Sequence, residues 1–277
     1  MTLSARNNFF RGGIIFAAVS LIIAAAGGYF AFSFFPETAG AAGPRSQGIM
    51  QLVAVRLAAP SAYVPYWTLL GTVTCSLIGI VLIYYFFENT QSPEILFFGL
   101  FIISLSFEFI RIVLPLKMAF PFPAMYLIAI FRALFFGRYF GMFSLFAAGV
   151  YAAGMDMQKQ QNIFLMLVLA SLYISLNVPI DILVWDSTFL LWNGYNSMLK
   201  VAETGIMVIT IITFFVSSIN KGSKNYITIG IGVLMAFSGR NILFNSDSWI
   251  TLFPGFFLLL AGAWFVCTRL HREYLWL

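Results

Sequence analysis

The amino-acid sequence predicts an all-α fold, a polytopic membrane helix bundle of about eight transmembrane helices with both termini cytoplasmic. Composition is the first reason: 61% of the 277 residues are apolar and 9% are charged, whereas soluble domains average about half and a quarter. The second is that apolar runs near the length that crosses a bilayer, about 20 residues, recur along the chain. With 15 basic and 10 acidic side chains, the chain has too few charges to cover a water-exposed surface. A soluble enzyme, a disordered chain and a nucleic-acid-binding domain are therefore excluded.

Residues 1–35 form the predicted N-terminal anchor helix. Arg6 and Arg11 precede a long apolar stretch, and small residues follow it, a pattern that also occurs in secretory signals. Because the apolar part is longer than a usual signal core, we expect an uncleaved anchor. Residues 36–65 form a predicted extracytoplasmic loop, in which 48–59 is either a short interfacial helix or a strand.

The remaining residues, 66–277, are predicted to form a seven-helix membrane bundle with a short cytoplasmic tail. One apolar run, 121–153, is too long for one ordinary span and short for two. Gly137 lies at its middle, where we expect the helix to be broken if the run crosses once. The seven predicted runs are 66–87, 94–116, 121–153, 162–184, 196–219, 225–243 and 249–268.

The distribution of Lys and Arg decides how often the run 121–153 crosses, because basic residues accumulate in cytoplasmic loops. With one crossing, the side of the two termini holds most of the basic loop residues. With two crossings, the basic N-terminus and the basic C-terminus would fall on opposite faces. We therefore predict eight spans. The side of the termini then holds Arg6, Arg11, Arg138, Lys159, Lys221, Lys224, Arg269 and Arg272, and the other side holds Arg45, Arg56 and Lys117.

Seven charged residues fall within predicted spans instead of loops. In the eight-span topology all of them lie in the outer half of the membrane, on five different helices. Ionisable groups inside a membrane are unfavourable in lipid and face the bundle interior, a partner or water. The predicted ligand-binding residues are Glu108, Arg111, Arg132, Asp181, Lys200, Glu203 and Arg240.

Two interpretations of these charges remain open. They can form interhelical salt bridges, with the outermost side chains reaching the headgroups. They can also line a polar pocket that opens to the extracytoplasmic side, or an ion or proton path. Because four of the seven are cations and guanidinium forks suit carboxylate and phosphate, a pocket would favour a small anionic ligand or a lipid headgroup. Glu108, Arg111 and Arg132 would then form its centre, and the other four its outer ring.

Residues typical of metal or catalytic sites are scarce. His271 is the only histidine, and Cys75 and Cys267 are distant from each other within apolar runs. Zinc, haem and iron–sulfur sites are therefore not expected. Ser197 and Lys200 match the S-x-x-K pattern, but the accompanying S-D-N and K-T-G motifs are missing. We predict no catalytic residue, no metal and no cofactor.

One stretch resembles a known family. Residues 88–98 read ENTQSPEILFF, and ISLSFEFIR follows at 103–111. This arrangement resembles the seven-helix membrane sensor domains at the N-termini of bacterial signalling proteins, including histidine kinases and diguanylate cyclases. The resemblance covers mainly 66–116, and it implies a bacterial cytoplasmic membrane and a polar turn between the first two of seven helices. The chain departs from the family because only 273–277 follow Arg272, without an output domain.

We therefore predict a non-enzymatic membrane sensor or receptor-like module that signals through a partner. Its expected partners are the lipid bilayer, a small anionic ligand or lipid, and a signalling protein or a second copy of the chain; nucleic acid is not expected. One alternative is a transporter or channel subunit that uses the same charges as a path. Others are an enzyme acting on lipid, with Glu108 or Asp181 as general base, and a structural subunit of a membrane complex.

Overall fold

The computed structural model describes residues 3–34, 63–88, 92–120 and 122–275, together with positions 57, 59, 61 and 90. Within these ranges, eight helices are long and apolar enough to cross a membrane. The prediction of an all-α, eight-span membrane bundle is therefore confirmed. The predicted loop over 36–65 and the short element over 48–59 lie almost entirely outside the described residues.

The helices follow one another with short connections, and one β-hairpin interrupts them. The third span consists of two α-helices joined end to end by a 3₁₀ helix, Leu105–Ile112. A short 3₁₀ turn, Met157–Lys159, precedes the fifth span. The α-helices are α1 Leu3–Phe34, α2 Tyr63–Phe87, α3 Pro93–Ser104, α4 Val113–Ala119, α5 Ala124–Ala152, α6 Gln160–Asn177, α7 Asn196–Lys221, α8 Asn225–Phe244 and α9 Trp249–Leu275; the strands are β1 Ile180–Trp185 and β2 Leu191–Asn193.

Helix α5 resolves the ambiguous run 121–153. It is a single unbroken helix, so the run crosses once, as predicted, and the expected break near Gly137 is wrong. Gly137 does not form a turn but allows α5 to pack closely against the third span. A Cβ at this position would lie 2.5 Å from the Cβ of Phe107. Small residues at such contacts let two helix backbones approach each other in a membrane.

The fifth span is shorter than predicted. We expected a helix over 162–184 with Pro179 inside it and Asp181 near its outer end, but α6 ends at Asn177. The residue before a proline is pushed out of the helical region, and Val178 is indeed extended, with φ −69° and ψ 120°. Asp181 therefore lies on strand β1, where it pairs with Trp192 of β2.

Contacts between helix ends define two sides of the bundle. On the terminal side, the start of α1 meets the end of α2, and Tyr274 at the end of α9 meets Glu94 at the start of α3. On the hairpin side, Arg111 of the third span meets Thr188 at the turn of the β-hairpin. The assignment of the terminal side to the cytoplasm stays a prediction from the basic residues.

Arg6 joins the first helix firmly to the bundle. The side chain is 4% exposed, and its Nη2 donates hydrogen bonds of 2.8 Å to the carbonyl oxygens of Phe87 and Glu88. Its Nη1 donates to the carbonyl oxygen of Thr90. The last carbonyls of a helix have no partner within it, so Arg6 caps the end of α2.

We expect Arg6→Gln to lower the free energy of unfolding by about 2 kcal/mol, because hydrogen bonds to charged groups contribute about 1.5–3 kcal/mol. Thermal unfolding in detergent would measure the loss. The matched control is Arg11→Gln, since the Nε of Arg11 donates a single exposed bond of 3.0 Å to Tyr84. Equal losses in both variants would contradict the capping role.

Candidate functional site

The 3₁₀ helix of the third span positions the first two charges of the site. A 3₁₀ helix has three residues per turn, so side chains three positions apart eclipse each other. Glu108 and Arg111 therefore project from the same face, and both are 1% exposed. Ser76 of α2 supports the start of this helix by donating to the carbonyl oxygen of Ile102 at 2.6 Å and accepting from Ser106 at 2.7 Å.

Glu108 is the centre of a buried ion cluster. The Nε and Nη2 of Arg138, on α5, donate to its two carboxylate oxygens at 2.8 and 2.9 Å. The Nη1 of Arg111 lies 3.3 Å from the second of these oxygens. One carboxylate thus faces two guanidinium groups, and a planar bidentate pair of this kind is among the strongest hydrogen-bonded contacts in proteins. The cluster carries one net positive charge.

Arg111 also holds the β-hairpin on the bundle. Its Nε donates to the carbonyl oxygen of Thr188 at 2.9 Å, and its Nη2 donates to the same oxygen. Thr188 lies at the turn of the hairpin and is 3% exposed. Phe189 and Tyr195 adopt left-handed backbone conformations, with φ of 58° and 60°, which non-glycine residues rarely take. The hairpin is therefore fixed against the buried ion cluster.

Arg240 is a third buried guanidinium, on α8, and its surroundings differ from those of the other two. It is 2% exposed, and no carboxylate of the described residues lies within 4.0 Å of it. Its Nη1 donates to the carbonyl oxygen of Arg138 at 3.2 Å, while its Nε and Nη2 are 3.4 and 3.3 Å from the Oδ1 of Asn241. Its guanidinium carbon is 4.9 and 5.1 Å from the ring centroids of Phe237 and Phe244. All of these contacts are neutral, so none of them pairs the charge of Arg240 with a carboxylate.

A cavity of about 430 Å³ lies between these groups on the hairpin side. Its size is within the range of small-molecule sites. The hairpin covers one side of it, and α5, α7 and α8 form the other walls. The lining residues are Phe135, Arg138, Tyr139, Asp186, Leu190, Leu191, Trp192, Asn193, Asn196, Leu199, Lys200, Glu203, Thr204, Arg240, Asn241, Phe244 and Asn245.

The cavity contains three of the seven predicted binding residues. Lys200, Glu203 and Arg240 line it. Glu108 lies directly behind its wall, bonded to Arg138, and Arg111 lies behind the hairpin.

The other two predicted residues lie elsewhere. Arg132, on α5, is not among the lining residues, and its buried Nε has no hydrogen-bond partner within the described part of the chain. Asp181 is exposed on strand β1 and does not line the cavity either. The expected grouping of Glu108, Arg111 and Arg132 is thus replaced by Glu108, Arg111 and Arg138.

Sequence reasoning missed Arg138 and Asp186. Arg138 was assigned to a cytoplasmic loop because the helix was expected to break beside it. In an unbroken helix Ala124–Ala152, its central position would have marked it as the most deeply placed cation of the span. Asp186 belongs to the hairpin, which was predicted to be the end of a helix and a loop.

The chemistry of the site is that of charge recognition. No group of three His, Cys, Asp or Glu side chains among the described residues is arranged to hold a metal ion. The charged lining consists of three cations and two acids, Asp186 and Glu203, with four Asn amides and four aromatic rings beside them. Such a lining suits a small polar or charged molecule.

Comparison with protein-family models, with curated proteins and with solved structures finds no match for this chain. The resemblance of 66–116 to bacterial seven-helix sensor domains therefore stays a prediction. The fold and the cavity are therefore described from this chain alone.

Proposed function

We propose that this integral membrane protein is a non-enzymatic receptor that binds a small anion in the hairpin-side cavity. Arg240 carries the proposal. It is nine-tenths or more buried, lines the cavity, and has no carboxylate within ion-pair distance among the described residues. A buried charge without a partner is strongly unfavourable. A carboxylate or phosphate in the cavity would provide the missing charge and accept the remaining guanidinium N–H bonds.

Arg138 strengthens the attraction for an anion. Its Nε and one Nη are bonded to Glu108, yet its backbone carbonyl is bonded to Arg240 and its side chain lines the cavity. Both guanidinium groups also lie against the ring of Phe244, with their carbons 4.3 and 5.1 Å from its centroid. The charged groups in and directly behind the cavity are four cations, Arg111, Arg138, Lys200 and Arg240, and three acids, Glu108, Asp186 and Glu203. The net charge of one positive unit favours a bound anion.

The position of the cavity favours a receptor over a conduit. All lining residues come from the hairpin and from the hairpin-side halves of α7 and α8, or from the middle of α5. Beyond Arg138, α5 continues toward the terminal side with buried apolar side chains, among them Met142, Leu145 and Ala148. A transport path would need polar groups that continue from the cavity, whereas Ser144, buried on this part of α5, donates its hydroxyl to the carbonyl oxygen of Phe140 in its own helix.

Helix α7, which forms one wall of the cavity, also takes part in a polar cluster on the terminal side. Glu94, 3% exposed at the start of α3, accepts a hydrogen bond of 2.6 Å from the phenol of Tyr274 at the end of α9. The Nζ of Lys221, at the end of α7, lies 3.6 Å from its other oxygen. A ligand that draws α7 and α8 together on the hairpin side would thus bias this cluster, which is how binding reaches a signalling partner on the cytoplasmic side.

Ligand-dependent thermal stabilisation of the purified protein tests the proposal, with inorganic phosphate and acetate as probes. A probe at 100 times its dissociation constant should stabilise the protein by about 2.7 kcal/mol. We expect Arg240→Gln to abolish the response and Arg272→Gln, in the exposed last turn of α9, to retain it. Arg132→Gln should also retain it, because Arg132 does not line the cavity.

Three results would overturn the proposal. If neither anion stabilises the wild-type protein, the cavity is not an anion-binding site. Anion flux in proteoliposomes that disappears in Arg240→Gln would assign the cavity to a transporter. A response lost in Arg132→Gln and kept in Arg240→Gln would place the anion elsewhere.

A further inference from the structure

The cavity that Arg240 lines also contains an acid on another helix. Glu203, on α7, lines the same cavity, and its carboxylate has no hydrogen bond and no ion pair within 4.0 Å among the described residues. Glu203 and Arg240 therefore line the same cavity with more than 4.0 Å between their charged atoms.

The cavity therefore offers a binding site for a negative and for a positive group. A plain anion next to Arg240 would satisfy the guanidinium and leave a carboxylate exposed to a second negative charge. A molecule with an ammonium group at its other end would satisfy both walls. Asp186, on the hairpin, adds a second acid to the cavity. Its Oδ1 accepts from the backbone and the hydroxyl of Ser187, at 2.7 and 3.2 Å.

Aromatic rings and amides complete the site for an ammonium group. Tyr139, Trp192 and Phe244 line the cavity, and cations bind over the faces of such rings. Phe244 already lies against the guanidinium groups of Arg138 and Arg240. The four Asn side chains of the lining supply neutral donors and acceptors for the part of a ligand between its charged ends.

We propose that the ligand is a small zwitterion whose carboxylate or phosphate binds Arg240 and whose ammonium group binds Glu203. The inference rests on the proposed anion site and specifies its ligand class. A cavity of about 430 Å³ accommodates an amino acid or an aminoalkyl phosphate, either free or as the headgroup of a lipid.

Matched probe pairs test this inference. Ethyl phosphate and phosphoethanolamine share the same anionic group, and the second adds an ammonium; propionate and β-alanine form the equivalent carboxylate pair. We expect the ammonium-bearing member of a pair to bind the delipidated wild-type protein at least tenfold more tightly, measured by titration calorimetry. Glu203→Gln should remove this preference. Asp156→Asn, which removes an exposed acid of the terminal side, should keep it.

The outcomes separate the two proposals. Equal affinities within each pair, or a preference that survives Glu203→Gln, would overturn the zwitterion and leave the anion site intact. No binding of any probe would overturn both. In nanodiscs, competition by phosphatidylethanolamine but not phosphatidylglycerol would support a lipid headgroup as the source, and binding of phosphoethanolamine unaffected by either lipid would support a free solute.

Discussion

Glu108→Gln is expected to lower the free energy of unfolding by about 3–5 kcal/mol, the range for removing one partner of a buried ion pair. Among the described residues, Glu108 is the only carboxylate within 4.0 Å of Arg111 or of Arg138. Glutamine keeps the shape of the side chain and removes its charge. Two buried guanidinium groups would then have no counterion, and the hold of Arg111 on the β-hairpin would weaken with them. Reversible unfolding in detergent by a denaturant measures the loss.

A double-mutant cycle provides the control. Glu108→Gln combined with Arg138→Gln removes both charges of the bidentate pair, so its loss should be smaller than the sum of the two single losses. Glu203→Gln serves as the matched acid, since this carboxylate makes no ion pair in the described structure. We expect it to change stability by less than about 1 kcal/mol. Similar losses for Glu108→Gln and Glu203→Gln would contradict the buried ion cluster.

Most of the fold could be predicted because nearly every apolar run has the length of one membrane span, and the distribution of Lys and Arg decided the long run 121–153. The exception is the segment after α6. The stretch IDILVW at 180–185 continues the apolar pattern of a helix, so Pro179 was interpreted as a kink inside a longer span. Its stiff β-branched and aromatic side chains also suit a strand, and the extended residue before the proline begins a hairpin. Apolar composition alone does not separate these two structures.

The presence of a buried charged site could be predicted from the sequence, but which of its side chains contact each other could not. The i,i+3 spacing placed Glu108 and Arg111 on one face, and the structure bears this out. The expected third residue, Arg132, does not contact Glu108, and Arg138 does. Both arginines lie on α5, and only the packing of α5 against the third span decides which one reaches Glu108. Lys200, Glu203 and Arg240 come together through two helices and a hairpin. Such long-range proximity is not encoded in local spacing.

In the proposed receptor, transmission from the cavity to the terminal side would depend on how tightly α8 and α9 are joined. Glycines lie at their contact, so the two backbones touch directly. A Cβ at Gly232 would lie 3.0 Å from the carbonyl oxygen of Gly262, and one at Gly239 would lie 2.8 Å from that of Gly255. Because such a contact leaves no side-chain layer to deform, a shift of α8 at Arg240 would move α9, and with it Tyr274, as one body.

Gly239→Leu is therefore expected to lower the free energy of unfolding by about 3 kcal/mol or more, since an inserted side chain forces packed backbones apart. Its Cβ alone would overlap the backbone nitrogen of Leu259. Gly205→Leu, on α7, is the matched control. A Cβ there meets nothing within 4 Å, so the change should be neutral or stabilising by up to about 1 kcal/mol through helix propensity. Thermal unfolding of both variants in detergent measures the difference. If Gly239→Leu is as stable as Gly205→Leu, α8 and α9 are not in backbone contact. A shift of α8 at Arg240 would then not be expected to move α9 and Tyr274 with it.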